Sequence, residues 1–142
     1  MTKIEKLYDM AENDEIEIYN FNLPLVKSLS LQHNGSPYIA IDPSAFPDNM
    51  EKTVCLAHEM GHCETSSFYN IHSNSDIRGR HEVRANRWAY RYLIPINDLQ
   101  AAILDEGITA ISELAEYFNV PYDFMCSAIE YYQMLENNKK LQ

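Results

Sequence analysis

Apolar positions along the chain change period several times, and each change predicts an element. Ile4, Leu7, Tyr8 and Ala11 lie on one helical stripe and predict a short N-terminal helix. An acidic run over 12–17 follows, in which Ile16, Ile18 and then Phe21 alternate as strand residues do. Two further apolar runs, 26–31 and 38–41, flank His33-Asn34-Gly35-Ser36, whose Asn-Gly pair is a strong two-residue hairpin signal. Together these segments predict a small antiparallel sheet.

Asp42-Pro43 ends that sheet. Asp48, with Glu51 three residues on, has the form of a capping box, so a helix is expected from Asp48 to Cys63. Its centre, Val54-Cys55-Leu56-Ala57, is apolar on several sides, as in a buried helix. A polar loop rich in serine and asparagine is expected over 64–79. A second long helix then runs from Arg80 to Leu93 and stops before Pro95. Two or three shorter helices complete the chain. The predicted class is α+β: a small antiparallel sheet packed on a helical core, ending in a C-terminal helical pair.

That last pair has the outline of a helix-turn-helix, with Ile111, Leu114, Ala115 and Phe118, then Val120-Pro121, then Phe124, Ala128 and Ile129. A DNA reader needs basic or amide side chains on its second helix. Residues 122–132 contain no lysine, arginine, asparagine or glutamine, and Asp123 and Glu130 would repel phosphate. The pair is therefore expected to be structural, or a surface for a protein partner.

Composition narrows the class without choosing a function. The 142 residues, 46% apolar and 23% charged, suit a single globular domain. The polar N-terminus lacks the apolar core of a signal peptide, and no run approaches the roughly 18 apolar residues of a membrane span. Cys55, Cys63 and Cys126 show no C-x-x-C pairing, so a reducing cytoplasm is the expected compartment. A net charge of −10 argues against direct nucleic-acid binding and favours a basic protein partner.

The chemistry begins at His58-Glu59-Met60-Gly61-His62, an H-E-x-x-H motif. On a helix, this spacing sets two imidazoles one turn apart on one face, where both can hold one zinc ion. Glu59 then faces the water that such a site activates for amide hydrolysis. Two histidines leave zinc short of a ligand. On the second predicted helix Glu82, Asn86, Ala89 and Leu93 share one face, and Arg80, Arg84, Arg87 and Arg91 the opposite one. The arginine face is expected in solvent, paired with local carboxylates, so the other must bury a carboxylate, which metal binding compensates. Glu82 is the predicted third ligand, and Asn86, one turn on, is placed to hold a ligand imidazole by its N–H.

Other chemical side chains carry less. Tyr69 and His72 lie in the polar loop and are candidates for holding an oxyanion. Cys55 falls on the histidine face one turn earlier, where a buried inert thiol is the commoner outcome. Cys63 and Cys126 read as packing, and His81 points about 100° away from Glu82.

The motif now extends further. H-E-M-G-H, followed by Glu82-Val83-Arg84-Ala85-Asn86-Arg87-Trp88-Ala89 and by Leu93-Ile94-Pro95, resembles the ImmA/IrrE family of metallopeptidases. The E-x-x-A-N and L-x-P segments discriminate, because H-E-x-x-H alone occurs in many zinc hydrolases. The hairpin before the motif and the segment 113–120 after it are similar as well. The resemblance implies a cytoplasmic protein of a bacterium, phage or mobile element that cleaves a partner transcriptional repressor. It implies zinc on His58, His62 and Glu82, with Glu59 in catalysis. The long polar loop before Glu82 departs from the family pattern and is read as a substrate-binding or lid feature.

The function expected is that of a zinc endopeptidase acting on a basic helix-turn-helix repressor. Two alternatives stay open: a non-catalytic, zinc-stabilised module that sequesters a regulator, and a zinc hydrolase of a small amide.

Overall fold

Helix α1 (Lys3–Asn13) starts where Thr2 and Glu5 cap each other: the Thr2 hydroxyl accepts from the Glu5 amide, and the Glu5 carboxylate accepts from the Thr2 amide. Its predicted stripe buries Leu7 and Ala11. The computed structural model describes residues 1–69 and 73–140, and six α-helices and three strands lie among them.

Strands β1 (Glu17–Asn20), β2 (Ser28–His33) and β3 (Ser36–Ile41) form one sheet in the order β1-β3-β2. Asn34 and Gly35 turn β2 into β3 with φ of +52° and +80°, the pair of positive values that a two-residue hairpin with strand-like twist needs. The hairpin is antiparallel as expected, but β1 runs parallel to β3, so the sheet is mixed and not purely antiparallel. Period-2 alternation marks a strand and its buried face, not its direction. Here the 21–27 connection carries the chain past β3 before β2 begins, and among the described residues the outer edge of β2 stays unpaired. Asp42 fastens this corner, its carboxylate accepting from the Leu23 amide (3.0 Å) and from the amide and hydroxyl of Ser44 (3.0 and 2.6 Å). The Ser44 hydroxyl first, then the Leu23 amide, hold that carboxyl below its ordinary range.

Helix α2 (Asn49–Glu64) begins at Asp48, whose carboxylate accepts from the Glu51 amide at 3.1 Å. It buries Leu56, Ala57 and Met60 completely and packs on α1 and on the β2–β3 face carrying Ile39 and Ile41. Each large apolar side chain so enclosed stabilises the fold by about 1.5–3 kcal/mol.

Helix α3 (Ser75–Leu93) starts five residues earlier than the sequence suggested. Asn74 caps it, its side-chain oxygen accepting from the Ile77 amide at 2.9 Å, and Gly79 is carried inside the helix. The polar loop is correspondingly shorter than 64–79.

The chain divides into two compact units, the first Met1–Ala89 and the second from Tyr90 onward, with α3 running through the boundary. In the second unit the end of α3 is joined by α4 (Ile96–Leu104), α5 (Ile111–Phe118) and α6 (Tyr122–Lys140). Asn119, with φ of +54°, closes α5 in the left-handed region that asparagine tolerates, and α5 then packs on α6 as the expected helical pair. The last helix is long (19 residues), not short. Tyr90 meets Phe124 and Tyr131 at ring separations of 5.3 and 5.7 Å, and the Tyr132 hydroxyl donates to the Ile94 carbonyl at 2.6 Å. Arg80, Arg84 and Arg91 are exposed as expected but Arg87 is half-buried, and Arg91 donates to the Tyr131 hydroxyl (2.9 Å), a neutral partner in place of a carboxylate. No helix among the described residues is long and apolar enough to cross a membrane.

Candidate metal centre

Two helices of the first unit supply the site. His58 and His62 stand one turn apart on α2, with ring planes 89° apart and Nε2 atoms separated by 3.2 Å. Glu82 on α3 closes the set, one carboxylate oxygen 2.9 Å from His58 Nε2 and the other 3.0 Å from His62 Nε2. The close approach has a local cause. Gly61 meets the Ala85 backbone so tightly that a Cβ there would lie 2.5 Å from the Ala85 carbonyl oxygen.

Each imidazole is held from behind. Helix α2 ends in a paired cap: the Ser67 amide donates to the His62 carbonyl (2.9 Å) and the Ser66 amide to the Cys63 carbonyl (3.3 Å), with Ser66 at φ +51°. This reversal brings the Ser67 carbonyl to 2.8 Å from His62 Nδ1. A carbonyl only accepts, so His62 Nδ1 carries a proton and its Nε2 is the ring atom turned to the site. Asn86 Oδ1 accepts in the same way from His58 Nδ1 at 2.7 Å.

Two imidazole Nε2 atoms and a carboxylate thus converge on one point, an arrangement that favours positive charge between them. Burial pulls the His58 pKa down, but the Glu82 hydrogen bond, together with the charges of Glu59 and Glu82, raises it overall. Glu82 is held far below the usual carboxylate range by its hydrogen bonds to His58 and then His62, against the opposing effect of burial. The three donor atoms lie within 4.8 Å of one another, so His58, His62 and Glu82 could hold a metal ion. Two imidazole Nε2 atoms, which give up their protons when an ion binds, and one ionised carboxylate are the donor chemistry such an ion needs.

Glu59 is buried beside this group, and one of its carboxylate oxygens accepts from the Ser28 hydroxyl on β2 at 2.6 Å. Tyr69 donates to Glu82 at 2.7 Å, so the structure brings this loop candidate to the carboxylate. Burial, and then that hydrogen bond, push the Tyr69 hydroxyl up to about 12. His72 lies outside the described residues. Cys55 is not among the three converging ligands, and burial, then the Glu59 charge, raise its thiol. A cavity of about 590 Å³ opens over the site, with Ser28, Leu29 and Ser30 of β2 on one side and Phe68, Tyr69 and Arg78 on another.

Sequence reasoning missed three contributors here. Ser28 sits in a strand, 31 residues from the carboxylate it holds. Ser67 acts through its backbone, to which side-chain identity is blind. Arg78, whose guanidinium lies 5.6 Å from the Tyr69 ring centre, was assigned to the loop preceding the helix. The one available signal was Gly61, a glycine inside a helix that otherwise loses about 1 kcal/mol relative to alanine.

A solved transcriptional regulator from Mycobacterium tuberculosis shares this fold, with a TM-score of 0.62 at 17% identity over 87% of this chain. The chain spans 39% of that regulator's length. No curated protein matches the sequence. The IrrE N-terminal-like domain of the peptidase M78 family matches residues 12–130, which bears out the ImmA/IrrE resemblance of the motifs. The chain belongs to this metallopeptidase family.

Proposed function

We propose that the protein is a zinc-dependent endopeptidase that cuts one partner protein, a basic helix-turn-helix repressor. The observation that carries this proposal is the convergence of His58, His62 and Glu82 beside a buried Glu59, all facing one open cavity. Two imidazoles and a carboxylate form the ligand set of catalytic zinc sites, which keep a further position open. Zinc, when bound there, supplies Lewis acidity toward water and toward the scissile carbonyl.

The protein's own groups do the rest. With one oxygen of Glu59 fixed by Ser28, the other is left to take the proton of the attacking water and pass it to the leaving amine. Asn86 and the Ser67 carbonyl keep the ligand rings aimed. Tyr69 donates at the edge of the site, where its hydroxyl can turn from Glu82 to an oxyanion. The unpaired edge of β2 lines the cavity and suits an extended peptide, whose backbone can pair with it. A net charge of −10 favours a basic substrate.

The test is replacement of Glu59 by Gln. The variant is expected to retain one zinc per chain by elemental analysis and to lose cleavage of a repressor encoded beside the gene. Retained cleavage would overturn the catalytic assignment. A full effect on the regulator without cleavage would establish a sequestering module instead. Glu82→Ala is expected to lose zinc, and unchanged zinc content would refute the ligand set.

A further inference from the structure

One face of the sheet keeps large side chains exposed among the described residues. Pairing register sets Glu17, Tyr38 and Leu31 in one row across the three strands and Tyr19, Ala40 and Leu29 in the next. Ile39 and Ile41, which alternate with these, point to the opposite face and are fully buried. The first face is therefore the outer one. Its middle is apolar all the same, with Glu17 and His33 at its margins: Tyr19, Phe21 and Leu31 are 45, 54 and 41% exposed. Tyr19 lies against Phe21 and Tyr38 at ring separations of 6.0 and 6.2 Å, and the group lines a shallow groove of about 330 Å³. A sheet face of this composition ordinarily meets a second layer.

The border of the groove says what kind of layer. Beyond β1 lies a second hollow, of about 950 Å³, whose wall includes Glu5, Asp9, Glu12, Glu15 and Glu17. The two hollows meet at β1, where the Tyr19 hydroxyl donates to Glu17. Between Lys6 and Lys27 the sequence contains no lysine, arginine or histidine, and Lys52 reaches this hollow only at Tyr8, 5.7 Å from its ring centre, so acid outweighs base along the border.

We propose that this face docks an amphipathic helix of a partner protein, with its apolar side on Tyr19, Leu31 and Tyr38 and lysines or arginines along the border toward Glu12, Glu15 and Glu17. An apolar groove edged by acid on one side fixes both the composition and the direction of such a helix. The surface is separate from the metal ligands, so docking does not depend on cleavage.

The probe is a labelled amphipathic peptide of about 14 residues, nearly four helical turns, built from leucine, alanine and lysine. Its counterpart carries glutamate for every lysine. Both are titrated by fluorescence anisotropy into the full chain bearing Glu59→Gln. The lysine peptide is expected to bind and the glutamate peptide not. Leu31→Ser and Glu12→Lys, both exposed substitutions, are each expected to weaken binding about tenfold, which corresponds to about 1.4 kcal/mol. Added salt should weaken binding to the unaltered face and have less effect on Glu12→Lys. Equal binding of the two peptides, absence of binding at millimolar concentration, or binding indifferent to both substitutions overturns the proposal. Self-association of the chain that Leu31→Ser abolishes also overturns it, because a second copy would then be the occupant.

Discussion

Gly61 and Ala85 touch backbone to backbone: a Cβ added to Gly61 would stand 2.5 Å from the Ala85 carbonyl oxygen and 2.9 Å from its Cα. Gly61 precedes the candidate ligand His62 on α2, and Ala85 lies three residues after the candidate ligand Glu82 on α3. The missing side chain at Gly61 is therefore what lets the two ligand-bearing helices approach. Gly61→Ala raises intrinsic helix propensity by about 1 kcal/mol, yet it forces backbone apart in a packed contact, at a cost of about 1–3 kcal/mol. The expected outcome is a lower Tm together with a loss of zinc affinity. Unaltered affinity by competition with a chelator would show that the contact does not set the site.

The Ser28–Glu59 hydrogen bond crosses from sheet to helix at 2.6 Å. Hydrogen bonds to a charged group contribute about 1.5–3 kcal/mol, so Ser28→Ala should lower kcat by about 10–100-fold. KM and zinc content should stay unchanged, and Ser28→Thr, which keeps the hydroxyl, should recover most of the rate. A change in KM alone would assign Ser28 to substrate binding.

Asn86 holds His58 by its Nδ1 at 2.7 Å. Asn86→Ala removes that acceptor and frees the ring to rotate. Zinc affinity is expected to fall about 10–100-fold, with the fold retained by circular dichroism. Asn86→Asp, which still accepts, should bind zinc more tightly than Asn86→Ala does.

Stability carries a pH signature at the end of α2, two residues after His62. Burial, then a hydrogen bond and charge repulsion from Asp14, push the Glu64 carboxyl up to about 7 from its usual 4.5. Between those values the folded chain holds a proton that the unfolded chain has released. Stability from this pair is thus complete below about pH 4.5 and is lost as pH rises through about 7. Glu64→Gln should flatten that slope and raise Tm at pH 8, by the small amount that an exposed pair allows, under about 1 kcal/mol. A denaturation series from pH 5 to 8 that runs parallel in both proteins would refute the assignment.

The convergence of His58, His62 and Glu82 was legible in the sequence because it rests on helical period. His58 and His62 at four-residue spacing must share a face, and Glu82 and Asn86 repeat that geometry on the next helix. The Asn34-Gly35 turn and the stripe of α1 are equally local. The direction of β1 and the start of α3 were not legible. Direction depends on where the 21–27 connection crosses, and the helix start depends on one Asn74 cap outweighing Gly79.

Local spacing thus specified which imidazoles and carboxylates come together, because periodicity is written into neighbouring positions. Contacts between distant segments supplied everything that makes those residues a site. Ser28 reaches Glu59 across 31 positions, the Ser67 carbonyl turns back on His62, and Gly61 admits Ala85. The mixed sheet in turn presents an open edge to the cavity and an apolar face to solvent. Such relations depend on how chain segments are packed against one another, and no spacing along a single segment encodes them.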